Sequence, residues 1–148
     1  MDEPKFNGMT RKEIVRAWIK ALESGEYKQE RGYLCQVRGS KRSYCCLGVL
    51  CDITHIPSQG PTAVYYDLNG ATHIVGYKGG KHYNCRGLPA ALGNFLRINS
   101  LGSLNRSVAD VSLTDLNDAG ESFMNIANVI RRGHVKGLED APELLEGM

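Results

Sequence analysis

Ser43-Tyr44-Cys45-Cys46-Leu47-Gly48-Val49-Leu50-Cys51-Asp52-Ile53 is the stretch whose reading decides the fold. It carries no charge before Asp52, so no polar face is available to meet water and the run must be buried. Ser43 is of a type that caps a helix start, its hydroxyl accepting from an unpaired backbone N–H. The run predicts a short, wholly buried helix over residues 44–54, with the other elements packed around it. Gly48 in its middle costs about 1 kcal/mol relative to alanine. The expected compensation is close approach by another stretch of backbone.

Toward the N-terminus, Thr10 and Glu13 form a capping box. Ile14, Ala17, Trp18, Ala21 and Leu22 follow at helical spacing, which predicts an amphipathic helix over about residues 11–23, ended by Ser24-Gly25. Tyr33 to Val37 reads as a short strand. Arg38-Gly39-Ser40-Lys41-Arg42 reads as a cationic turn whose N–H groups suit an anion, or as an ordinary solvated loop.

Toward the C-terminus, Ala63 to Leu68 and Ala71 to Tyr77 flank Asn69-Gly70, a strong hairpin signal. Gly79-Gly80 turns the chain into His82 to Cys85, completing a three-stranded meander. The first turn sets Leu68 opposite Ala71, Tyr66 opposite His73 and Val64 opposite Val75. This more apolar face is the one expected to be buried. Leu88-Pro89 opens a helix over about residues 89–97. Residues 99–111 read as a loop. Ser112 with Asp115 caps a short helix through Asp118, and Ser122 caps a last one with Phe123, Ile126, Ala127, Val129 and Ile130 inward. The sum is a single α+β domain over 1–148. Its buried Cys-rich helix packs with N- and C-terminal helices and a small antiparallel β meander, and residues 1–9 and 134–148 are expected to be peripheral.

The totals bound function. With 148 residues, 42% hydrophobic and 23% charged, the chain fits one ordinary globular domain. A net charge of +2 does not by itself write strong nucleic-acid binding into the total. No apolar run reaches membrane-spanning length. The polar start Met1-Asp2-Glu3-Pro4 lacks a secretory-leader pattern and points to a cytoplasmic protein. There the five cysteines are thiols, ligands or catalysts rather than bridges.

Four constellations bear on chemistry. Cys45 or Cys46 at a helix start gains thiolate character from the dipole. With His73 on the following hairpin as base, and Asp67, Asn84 or Asn94 as orienting group, this is the layout of papain-like and NlpC/P60-like hydrolases. Cys46, Cys51 and His55 allow a zinc reading, but structural sites favour tighter cysteine pairs than this helix offers. Leu113 to Ile130 has the Gly and Ser spacing of a first helix-turn-helix half. The acidic segment that follows, with Pro142, would be repelled by phosphate where a recognition helix should sit. Lastly, the second face of the meander carries Tyr65, Asp67, Thr72, Ile74, Lys78, Lys81 and Tyr83. Tyrosines among lysines suit a stacking platform for a base or nucleotide, or simply the solvated side of a sheet.

Trp18-x-x-Ala21-Leu22-x-Ser24-Gly25-x-Tyr27-x-Gln29, Tyr44 to Asp52, Leu88-Pro89 and Leu116-Asn117-Asp118-x-Gly120-x-Ser122-Phe123-x-x-Ile126-Ala127 together resemble an uncharacterised small protein family of tailed bacteriophages. The resemblance covers residues 15–130 in patches and implies phage origin without a mechanism. Its polar residues are Tyr27, Gln29, Asp52, Asn117 and Asp118; of these Tyr27, Gln29, Asn117 and Asp118 are candidate binding residues where the patches meet beside the central helix, or caps and turn residues. The expectation is a cytosolic accessory protein of a phage that acts by stoichiometric binding. It would inhibit a host defence component (CRISPR or other) or sequester a signalling molecule, with Tyr65, Lys78 and Lys81 as further binding residues. Its partner would be a host protein, a protein–nucleic-acid complex or a small nucleotide, and no cofactor or metal is expected. The alternative is the cysteine hydrolase with Cys45, Cys46 and His73.

Overall fold

A computed structural model describes residues 3–68, 70–105 and 110–148, the side chains of residues 61, 62 and 67 excepted. Asn69 of the expected turn, residues 106–109 of the expected loop and the Asp67 side chain lie outside this description. Among the described residues are six helices and five strands in one α+β unit. The helices are α1 (Arg11–Glu23), α2 (Cys46–Ile53), α3 (Ala90–Leu96), α4 (Leu113–Asp118), α5 (Phe123–Arg131) and α6 (Ala141–Leu144). The strands are β1 (Cys35–Arg38), β2 (Lys41–Tyr44), β3 (Ser58–Asp67), β4 (Gly70–Gly79) and β5 (His82–Asn84).

The central run is a helix, but a shorter one than expected, because Lys41–Tyr44 is drawn into the sheet as β2. Its cap is therefore Cys45 rather than Ser43: the Cys45 Sγ accepts from the Gly48 N–H at 3.4 Å. The backbone comes as close as the glycine implies. A Cβ on Gly48 would stand 1.7 Å from the Leu34 carbonyl oxygen. Trp18 of α1, fully buried, donates from its indole to the Cys46 carbonyl at 2.9 Å, fixing α1 across the start of α2. The capping boxes at Thr10/Glu13 and Ser112/Asp115 and the Ser122 cap form as the sequence predicts.

All strands pair antiparallel in the order β2-β1-β4-β3. β3 already holds one edge of β4 at Tyr77, so β5 takes the other edge, in line with β1. The β3–β4 register is displaced by two residues from the expected one: Asp67 pairs with Gly70, Tyr66 with Ala71 and Val64 with His73. The turn is thus centred one residue earlier, and Gly70 closes it with φ +110°.

A two-residue displacement keeps each residue on its own face, yet the burial is not as expected. The core takes Cys35, Tyr44, Val75 and Tyr77 from one face, against α2. Farther along that face Tyr66 is 82% exposed and Leu68 fully exposed, because β1 reaches only to the Val37–His73 pair and the hairpin runs on past it.

The segment from His134 is not peripheral. Val135, Leu138, Ala141 and Leu145 are buried in the core. Phe6 and Met9 also pack against the core, with the Phe6 ring 5.7 Å from Phe95, so the lead-in from Glu3 is part of the fold.

Candidate functional site

The sheet has a second face, carried by Gln36, Arg38, Lys41, Ser43, Thr72, Tyr65, Lys78 and Tyr83. The strand pairings place them together: Gln36 opposite Ser43 and Ile74, Arg38 opposite Lys41, Tyr65 opposite Thr72, and Lys78 opposite Tyr83. Thr72 and Ile74 form its buried floor, and Ile74 stands outside the main core cluster, as a residue on the far side of the sheet should. Arg38, Lys41, Lys78 and Tyr65 are exposed.

At one end of this face a cavity of about 190 Å³ is lined by Lys28, Glu30, Gln36, Arg38, Lys41, Ser43 and Thr72. Lys28 and Glu30 reach it because the 28–30 segment runs alongside β2. Tyr44 donates to the Lys28 carbonyl and Glu30 donates back to the Tyr44 carbonyl, both at 2.8 Å. The Arg38 guanidinium donates to the Thr72 hydroxyl from Nε at 3.0 Å and from a terminal nitrogen at 2.7 Å, which fixes its plane over the sheet. Among the described side chains, three cations and one carboxylate thus line a small polar hollow.

Beside the hollow, Tyr65 and Tyr33 lie with ring centres 6.0 Å apart and hydroxyls 2.7 Å apart. The Arg86 guanidinium sits 4.8 Å from the Tyr33 ring centre and donates to its hydroxyl at 3.1 Å. The hydrogen bonds from Tyr65 and then Arg86 hold the Tyr33 hydroxyl below the usual phenol range, whereas donating to Tyr33 raises that of Tyr65.

The polar residues of the quoted patches meet inside the molecule. The Asn117 amide, 1% exposed, accepts from the Cys46 N–H at 3.2 Å and from Gln29 at 3.0 Å, and donates to the Glu30 carbonyl at 2.7 Å. Gln29 also donates to the Glu121 carbonyl, and the Gly32 N–H donates to Asp118 at 2.9 Å. Tyr27 donates to Asp52 at 2.5 Å; burial, then this bond, pushes its hydroxyl well above the usual phenol range. Gln29, Asn117 and Asp118 are thus brought together as a tie between residues 29–32, α2 and α4. Lys78 stands across the sheet from Tyr83, and Lys81 is exposed in the turn between β4 and β5.

The cysteines are differently placed. Cys45 is 3% exposed and Cys46 fully buried, where its Sγ lies 3.7 Å from the Leu113 carbonyl. Burial pushes the Cys45 thiol up to about 11 and that of Cys46 well above the usual thiol range, the opposite sign from an activated nucleophile. His73 does not face the core beside Tyr66. It shares the sheet face of Val75 and Tyr77 but lies past the part the core covers, where it lines a separate cavity of about 360 Å³ with Val37, Arg42 and Val75. Among the described residues no three His, Cys, Asp or Glu side chains stand close enough to hold a metal. Residues 119–122 join α4 to α5, and α5 packs on α1.

Sequence reading missed the hollow because it left β2 as a turn. The signal was there: Gly39-Ser40 is a two-residue hairpin pair, and Gly39 has φ +63°. Setting Arg38 opposite Lys41 across that turn brings the cations to one face.

Fold and surface define a class: an α+β protein with helices on one sheet face and a cationic, tyrosine-bearing face on the other. Residues 9–61, from the end of the lead-in through α1, the β1–β2 hairpin and α2 into β3, are similar to a family described as a domain of unknown function, DUF8296. No match was found among curated proteins or solved structures. Among the described residues no helix is long and apolar enough to cross a membrane.

Proposed function

We propose that the chain is an accessory protein of a tailed phage that acts in the host cytoplasm by stoichiometric binding, inhibiting a host defence component such as a CRISPR complex. The observation that carries this reading is the far end of the β3–β4 hairpin. Tyr66 and Leu68 stand there 82% and 106% exposed, beyond the last residue that β1 supports. Large apolar groups held on a projecting, hydrogen-bonded ribbon do nothing for the fold. They are suited to burial in a partner, as aromatic anchors are. The burial of Cys45 and Cys46, which pushes both thiols up, favours binding over turnover.

The test is a titration of the purified protein against a fixed amount of a host CRISPR effector, with target cleavage as readout. Stoichiometric binding gives loss of cleavage that is complete near one equivalent. The Tyr66→Ser/Leu68→Ser double variant should lose inhibition while keeping its fold. Inhibition by a small fraction of an equivalent, growing with time, would mean catalysis and sink the reading. So would full inhibition by the double variant.

A further inference from the structure

We propose that the cationic sheet face binds single-stranded nucleic acid. This is a second surface, opposite in the sheet to the one bearing Tyr66 and Leu68, and it does not depend on the partner reading above.

The ligand must satisfy three features at once. The first is charge. Among the described side chains, Lys28, Arg38 and Lys41 line the hollow with the one carboxylate Glu30, and Arg86 and Lys78 are exposed farther along the face. The overall charge of +2 is therefore concentrated rather than spread, and a hollow of about 190 Å³ with three cations suits a phosphate group. The second feature is the aromatic groups. Tyr65, 52% exposed, offers a ring beside the hollow, and Tyr83, 37% exposed, offers another next to Lys78. Bases stack on such rings without regard to sequence.

The third feature is length. From Thr72 to Lys78 the strand advances roughly 20 Å at about 3.3 Å per residue. A single nucleotide brings one ring and one phosphate cluster and would fill only one end. A strand repeats ring and phosphate, as this face repeats tyrosine and cation. The bases must be unstacked to meet the rings, which excludes a duplex. Arg86 is held over Tyr33 and Arg38 over Thr72, so two of the cations are in place before the ligand arrives.

The experiment is fluorescence anisotropy of the full chain with labelled 12-nucleotide single strands of RNA and DNA, the matching duplex, and ATP as competitor. At low salt both single strands should bind, and the duplex far more weakly. Tyr65→Ala should weaken single-strand binding by about 5- to 150-fold, the loss of one stacked base. Lys41→Ala should weaken every sequence alike and reduce the slope of log affinity against log salt by about 0.7. The Tyr66→Ser/Leu68→Ser variant should bind strands as the parent does, so failure here and failure of the partner reading are separable. No binding of either strand at low salt overturns the proposal. Equal affinity for the duplex, an unchanged Tyr65→Ala variant, or displacement of the strand by an equimolar amount of ATP would also overturn it.

Discussion

Asn117 is one buried amide that serves three separated pieces of chain. Its oxygen satisfies the Cys46 N–H at the start of α2 and the Gln29 amide, and its nitrogen satisfies the Glu30 carbonyl. Asn117→Ala leaves the buried Cys46 donor and the half-buried Glu30 acceptor unpaired, at about 1–3 kcal/mol for each such group. Urea denaturation should show a loss of about 3 kcal/mol; a loss under 1 kcal/mol would mean that water replaces the amide. The buried thiols set a second dependence. Burial on folding pushes the Cys45 thiol up from its ordinary value to about 11. Its folded value lies above its unfolded one, so its contribution is complete below pH 9 and is lost as pH climbs toward 11. Two units correspond to about 3 kcal/mol, and Cys46 and Cys51, raised well above the thiol range, act in the same direction. Urea midpoints should therefore fall between pH 8.5 and about 10.5. In the native protein a thiol reagent should titrate Cys85 quickly and the four buried thiols only on unfolding. Rapid labelling of Cys45 would reopen the hydrolase reading.

Among the elements, those with local signals were legible before the structure. α1, α4 and α5 each begin at a hydroxyl that bonds its own helix, and such caps depend on three or four consecutive residues. β2 was hidden because Lys41-Arg42-Ser43 has no apolar alternation; its place comes from pairing with β1 and from the 28–30 segment on its outer edge. The C-terminal segment was hidden by charge. Val135, Leu138, Ala141 and Leu145 fall at roughly helical spacing, but Glu139, Asp140 and Glu143 among them read as a solvated tail. Asp140 is in fact clamped by Arg11, at 2.5 Å and 3.0 Å, and Arg11 also donates to the Leu96 and Gly137 carbonyls. The Arg11 guanidinium beside Asp140 holds its carboxyl below the usual range. This clamp is thus complete above the unfolded carboxylate range and weakens as pH falls through the folded value. A chain ending at Lys136 loses the buried Leu138, Ala141 and Leu145 with the clamp. Two leucines at about 1.5–3 kcal/mol each, plus the smaller terms, make a loss of about 5 kcal/mol. Calorimetry should show Tm lower by about 10–20 °C; an unchanged Tm would return this segment to the periphery.

For the whole molecule, the difficulty was deciding which sheet face the helices cover. Residue alternation within a hairpin sorts side chains into two sets, and Leu68, Tyr66 and Val64 had the more apolar look. That sorting says nothing about where α2 lies, which depends on Cys35 and Tyr44 arriving from β1 and β2. Once those strands are in place, the core takes Val75 and Tyr77 near one end of β4 and leaves the other end of the same face in water. The Tyr65, Lys78 and Tyr83 set was legible as one face. The hollow next to it was not, because it needs β2. The same placement separates stability from binding. Tyr66 and Leu68 make no core contact, so replacing both by serine should change unfolding free energy by no more than about 0.5 kcal/mol. Ile74→Ala on the floor of the cationic face, 1% exposed, should cost about 2–5 kcal/mol. A large loss from the double serine variant would mean that the hairpin end is held by the fold itself. An unaltered unfolding curve, together with lost inhibition, would mark those two side chains as exposed for a partner's sake.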